Sequence, residues 1–164
     1  MKIDAKVQSI SKLKDYFFLV PDYQREYVWK PDDEVEQFLI DIENEYSPDA
    51  KEQRNYFLGS IIIVNNDRCF DVVDGQQRLT TIMLSLCVFR DLLKKETLNS
   101  AQKNYLQIIE NLLYNFDIES GETRVRLELQ YEESHDYLTA LIQEQPYNGC
   151  LYENTSTLSI ICRD

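Results

Sequence analysis

The stretch Asp71 to Thr81, DVVDGQQRLTT, holds residue types suited to binding and working on an anion. Alternating apolar residues run into Asp74-Gly75 and from there into a helical pattern, the sequence form of a strand, a tight turn and a helix start. Such a start presents backbone N–H groups without helical partners and the positive end of the helix dipole. Arg78 adds a guanidinium fork, and Gln76 and Gln77 add neutral amides that can orient a water or a phosphate oxygen without burying a further charge. Phosphate recognition is the chemistry these residues predict. A ligand-free alternative lies in the same residues, because Asp74 followed three positions later by Gln77 also fits a capping box.

A second surface is PDYQREYVW, where Tyr23, Tyr27 and Trp29 interleave with Gln24, Arg25 and Glu26. Aromatic faces stack on bases, and Gln or Arg hydrogen-bonds base edges or phosphates, so a nucleotide or nucleic-acid contact is one reading. A loop packed by its own aromatics is the other. Cys69, Cys87, Cys150 and Cys162 show no C-x-x-C spacing and His135 is the only histidine, which speaks against structural zinc, a disulfide framework and a catalytic thiol. Each cysteine is read as a small buried hydrophobe, and His135, in the charged run EESHD, as a solvated residue at a helix start. No metal site built by the protein alone is expected.

The elements that position these residues follow in order. Val7, Ile10 and Leu13 have helical spacing, Tyr16 to Val20 reads as a strand, and Pro21 opens the aromatic loop. Pro31 with Asp32, Asp33 and Glu34 starts an amphipathic helix bearing Val35, Phe38, Leu39, Ile42 and Tyr46, with a solvated acidic face. Tyr56 to Val64, YFLGSIIIV, is the strongest strand pattern and predicts burial on both faces, with Gly59 marking a bulge or a close approach. Asn65-Asn66-Asp67 turns the chain into Arg68 to Val73, a hairpin that delivers it to Gly75. The helix that follows carries Leu79, Ile82, Met83, Leu86, Phe89 and Leu93, and a further helix from Ser100 to Phe116 buries Tyr105, Ile108, Ile109, Leu112 and Leu113. Thr123 to Leu129 alternates as a half-buried strand with Arg124, Arg126 and Glu128 on the wet face, and Asp136 to Gln143 has weak helical character. Residues 146–164 show no periodicity and read as an irregular tail or the start of a missing C-terminal region.

The chain has 164 residues, 43% hydrophobic and 12% aromatic, enough for one folded domain over residues 1–145. The expected class is α+β, a small mixed β-sheet packed with several α-helices. A net charge of −12 argues against a surface that coats nucleic acid generally. The charge is uneven: residues 1–30 carry six Lys or Arg against four Asp or Glu, and 31–60 carry two against nine, so a polyanion should approach near the N-terminus. No membrane span and no signal-peptide apolar region is present in the sequence, which makes the cytoplasm the expected compartment.

With PDYQREYVW, YFLGSIII and DVVDGQQRLTT in this order, the chain resembles the N-terminal domain of GmrSD-type restriction proteins, the DGQQR-motif proteins, distantly like the ParB and sulfiredoxin fold. The resemblance covers about residues 5 to 145, including RLELQYEESHDYLTALI. It implies a nucleoside-triphosphate-hydrolysing regulatory domain in phage defence, coupling nucleotide turnover to recognition and cleavage of modified DNA. By motif, Asp74, Gly75, Gln76, Gln77 and Arg78 match the nucleotide site, Tyr23, Gln24 and Arg25 match the YQR element beside it, and Gly59 matches the strand glycine. The expected catalytic residues are Asp74, Gln77 and Arg78, with Gln77 or Gln76 placing the water. Magnesium is expected on the phosphates, with Asp74 as protein contributor. The helical C-terminal region and nuclease domain common in the family are not encoded here, so nuclease activity is expected to come from elsewhere. A nucleotide or DNA-modification sensor without turnover, and a docking subunit for a nuclease partner, are the alternatives.

Overall fold

The computed structural model describes residues 4–45, 55–116, 118, 121–130 and 135–145. Its centre is a four-stranded mixed sheet in the order β2-β3-β1-β6, built from β1 (Phe18–Val20), β2 (Ile62–Asn66), β3 (Cys69–Asp74) and β6 (Leu127–Leu129). β1 lies between β3 and β6 and runs parallel to both, with Phe18 opposite Phe70 and Leu127. β2 and β3 form the expected antiparallel hairpin, with a register shift between Ile62 and Ile63. A separate pair, β4 (Tyr114–Phe116) and β5 (Thr123–Val125), is antiparallel.

The described residues also form four α-helices: α1 (Glu36–Glu45), α2 (Gln76–Lys94), α3 (Ser100–Leu113) and α4 (His135–Ile142). Val20, Val72, Leu79, Met83, Leu113, Leu127, Leu138 and Ile142 are fully buried and belong to one core, which joins the sheet to α2, α3 and α4. Each such side chain contributes roughly 1.5–3 kcal/mol on removal from water. The mixed sheet and helices match the predicted class, and no helix among the described residues is long and apolar enough to cross a membrane.

Several local expectations are corrected. Tyr56 to Val64 is not a buried strand: pairing begins at Ile62, and Phe57, Ile62 and Val64 are exposed, because β2 is the edge of the sheet. The N-terminal helical spacing gives only a 3-10 turn, Ile10–Asp15, with Val7 exposed. Pro31–Val35 forms one wide turn before α1, and α1 buries Phe38 while Leu39 and Ile42 stay exposed. The helix expected to reach Phe116 stops at Leu113, where Tyr114–Phe116 becomes β4, and Tyr105 and Ile108 face solvent. Thr123 to Leu129 breaks at Arg126 between two sheets, and Arg126 is buried. Phe89, placed on the buried stripe of α2, is exposed; Leu84, Cys87 and Arg90 take that burial instead. Cys69 is half-buried. Tyr46, Cys150, Cys162, the tail expected over 146–164 and the side chain of His135 lie outside the described residues.

Candidate functional site

β3 ends at Asp74 and α2 begins at Gln76, so the whole turn is Gly75, with φ +85° in the left-handed region that glycine adopts without strain. No side chain caps this helix start. The capping box that was the ligand-free alternative for Asp74 and Gln77 does not form there; one forms at Asn99 and Gln102, at the start of α3. The first turn of α2 therefore keeps N–H donors unclaimed by a capping side chain. A Cβ at Gly75 would stand 2.7 Å from the Ser60 carbonyl oxygen and 3.1 Å from the Ile61 Cα, so the segment leading into β2 crosses directly over the turn.

The same segment seats Arg78. Its Nη1 donates to the Ser60 carbonyl at 2.9 Å, and a Cβ on Gly59, at φ +104°, would lie 2.6 Å from the Arg78 Cζ. The close approach predicted at Gly59 is thus made by the guanidinium of Arg78. Among the described residues no carboxylate pairs with Arg78. Tyr56 stands near it: burial pushes the phenol up, the Asp41 and Glu45 carboxylates add to this, and the Arg78 charge acts in the opposite direction.

The glutamines hold the aromatic loop. Gln77 is buried; its Oε1 accepts from the Val28 N–H at 2.8 Å and its Nε2 donates to the Glu26 carbonyl at 2.8 Å. Gln76, also buried, donates through Nε2 to the Arg25 carbonyl at 2.9 Å, which leaves its Oε1 as a buried acceptor with no hydrogen-bond partner among the described residues. Gln24 Nε2 donates to the Val73 carbonyl at 3.2 Å. Deeper in, the Tyr27 hydroxyl and Thr81 Oγ1 are 2.8 Å apart, and Thr81 donates to the Gln77 carbonyl at 2.8 Å. Trp29 packs on Phe38 of α1 with ring centroids 5.9 Å apart.

Two segments far apart in sequence, residues 25–28 and 59–61, therefore converge on the four residues Gly75 to Arg78. The family model for the GmrSD restriction endonuclease N-terminal domain matches residues 7–159. The chain belongs to that family. No curated protein matches it. Membership makes it a restriction-system domain.

In this GmrSD N-terminal domain, the Gly59–Ile61 segment lies against Gly75 and Arg78, and the backbone of Arg25 meets Gln76. Asp74 is exposed at the end of β3, opposite Ile62. Tyr23 is exposed on the loop, which is held to β3 by the Gln24 side chain and to the start of α2 by the Arg25 carbonyl. Sequence reasoning missed Ser60, whose carbonyl anchors Arg78, and Thr81, which anchors Tyr27. The only signal for Thr81 was its position one helical turn after Gln77, and Ser60 carried none, because its backbone does the work. Among the described residues no group of three or more His, Cys, Asp or Glu could hold a metal ion.

Proposed function

We propose that this domain binds a nucleoside triphosphate at the start of α2 and hydrolyses it, regulating a nuclease of a restriction system that acts on modified DNA. The observation that carries the reading is the uncapped, glycine-initiated helix start with the Arg78 guanidinium seated beside it and no carboxylate partner for it among the described residues. The phosphates sit against the N–H groups of the first turn, and Arg78 stabilises the charge that develops as the terminal bond breaks. Gln77 has both ends of its amide engaged by the loop, so it positions the loop. Gln76 Oε1, the acceptor without a donor, is the atom left to receive an O–H of the attacking water. The donor set fits magnesium only as an ion carried by the phosphates, with Asp74 as one protein ligand. Tyr23 and Arg25 lie exposed on the adjoining loop, available to the base or sugar.

The test is phosphate release from nucleoside triphosphates by the purified chain and by Arg78→Ala. Release by the wild type and its loss in a folded Arg78→Ala variant supports the mechanism; equal release by both removes Arg78 from it. The glutamine clamp favours a second reading, in which the same ligand binds without turnover and signals through the 21–29 loop. A ligand-induced thermal shift without phosphate release selects that reading.

A further inference from the structure

The opposite end of the sheet carries a cluster that this function does not use. Phe17, Arg68 and Arg126 are the residues immediately before β1, β3 and β6, the three mutually parallel strands of the sheet. Their backbones are tied together: the Phe18 N–H donates to the Arg126 carbonyl and the Phe70 N–H to the Phe17 carbonyl, each at 2.8 Å. The guanidinium carbons of Arg124 and Arg126 stand over the Phe17 ring, 4.0 and 4.4 Å from its centroid. Arg124 also donates to the Arg68 carbonyl at 3.0 Å. Gly75 and the 21–29 loop leave the C-terminal ends of β3 and β1, so the α2 start lies at the far edge, roughly 20 Å away along the six residues of β3.

The two buried arginines among the described residues differ in their partners. Arg90, 1% exposed, pairs with Asp91 at 2.8 Å and donates to the Ile142 and Leu141 carbonyls at 2.7 and 3.0 Å. Burial acts to lower its pKa, but the Asp91 hydrogen bond and the charges around it hold it above the usual value. Arg126, 7% exposed, reaches only weak acceptors among the described residues, the Asn111 carbonyl at 3.4 Å and Asn115 Oδ1 at 3.5 Å. No carboxylate among the described residues pairs with Arg126 or Arg124. Burial lowers the Arg126 pKa, the Arg124 charge lowers it further, and Asp15 offsets only part of this. Two like charges held over one ring, one of them desolvated, are stabilised when an anion arrives. Arg124 and Arg68 are exposed, so the cluster opens to solvent.

We propose that Arg124 and Arg126, held over Phe17 beside Arg68, form a second phosphate-binding site, distinct from the α2 start, that takes a phosphate of a nucleic-acid backbone. A backbone phosphate fits better than a free one, because the cluster offers arginine forks and an aromatic edge but no glycine turn or helix start to enclose a terminal phosphate. The Ile10–Asp15 turn, with Lys12 and Lys14, leads into β1 at this same end of the sheet, on a chain whose net charge of −12 disfavours polyanions elsewhere.

The experiment measures binding of a short labelled DNA duplex by fluorescence anisotropy over a salt series, and of inorganic tripolyphosphate by calorimetry. The proteins are wild type, Arg124→Ala and Arg78→Ala, each checked for fold by circular dichroism. Arg124→Ala is expected to weaken duplex binding by about fivefold or more and to reduce the slope of log K against log salt by about 1, while tripolyphosphate binding stays as in wild type. Arg78→Ala should leave that salt slope unchanged. Loss of both ligands in Arg124→Ala keeps the phosphate site but overturns the nucleic-acid assignment. Duplex binding of unchanged affinity and slope in Arg124→Ala, or no duplex binding by the wild type at low salt, overturns the proposal.

Discussion

Replacing Gln77 with Ala removes both ends of the amide clamp in one step. The Val28 N–H and the Glu26 carbonyl, each 2.8 Å from that side chain, lose their partner at a site where Gln77 is only 6% exposed. At about 1 kcal/mol for each bond, and more for whichever group stays shielded from water, the loss comes to about 2–3 kcal/mol. Urea denaturation should show a midpoint lower by roughly 1–1.5 M at an m-value near 2 kcal/mol/M that does not change. Trypsin supplies a local readout, because cleavage after Arg25 attacks the carbonyl that Gln76 Nε2 holds and requires the loop to open. Gln77→Ala should be cut there faster than wild type. Gln77→Glu keeps the acceptor for Val28 but sets a carboxylate against the Glu26 carbonyl, so it should also destabilise. A Gln77→Ala variant within about 0.5 kcal/mol of wild type, with unchanged cleavage after Arg25, would refute the clamp.

Other substitutions probe the remaining supports. Gly59→Ala places a Cβ 2.6 Å from the Arg78 Cζ at φ +104°, and should lower stability by about 1–3 kcal/mol and weaken tripolyphosphate binding in calorimetry, by displacing the guanidinium. Gly75→Ala meets the Ser60 backbone carbonyl at 2.7 Å, which cannot swing aside, and should cost more than Gly59→Ala in the same melt. Arg90→Ala frees the Leu141 and Ile142 carbonyls at the end of α4 and leaves a cavity, a loss of about 3–5 kcal/mol by urea denaturation.

What could be read from the sequence was what local chemistry fixes. The change from alternating to helical periodicity at Gly75, and the polar residues before Cys69, signalled the hairpin and α2 because both signals lie within a few residues of the elements they define, although Asn65 and Asn66 extend β2 and the turn itself is Asp67-Arg68. The role of Gln77 was not local. Its partners lie 49 and 51 residues away, so a capping-box pattern that depends on neighbours three positions apart was drawn to the wrong helix start. Tyr56 to Val64 misled for a related reason: Gly59 and Gly75 bring that segment across the α2 start, and its apolar side chains end up on a sheet edge. Arg126 follows the polar beat of its strand, yet the chain bends there and buries it. That Gly59, Arg78 and the 21–29 loop meet could be foreseen as motifs in company, but not as these contacts.

The roles proposed for Arg78 and Gln76 both depend on a triphosphate sitting on the first turn of α2. An amide NMR titration of the labelled chain with a non-hydrolysable nucleoside triphosphate and magnesium tests it directly. The largest shifts are expected at Gly75, Gln76, Gln77 and Arg78, with smaller ones along 23–28, and loss of the whole set in Arg78→Ala. Shifts centred elsewhere in the domain, or an unchanged pattern in the Arg78→Ala protein, would contradict it.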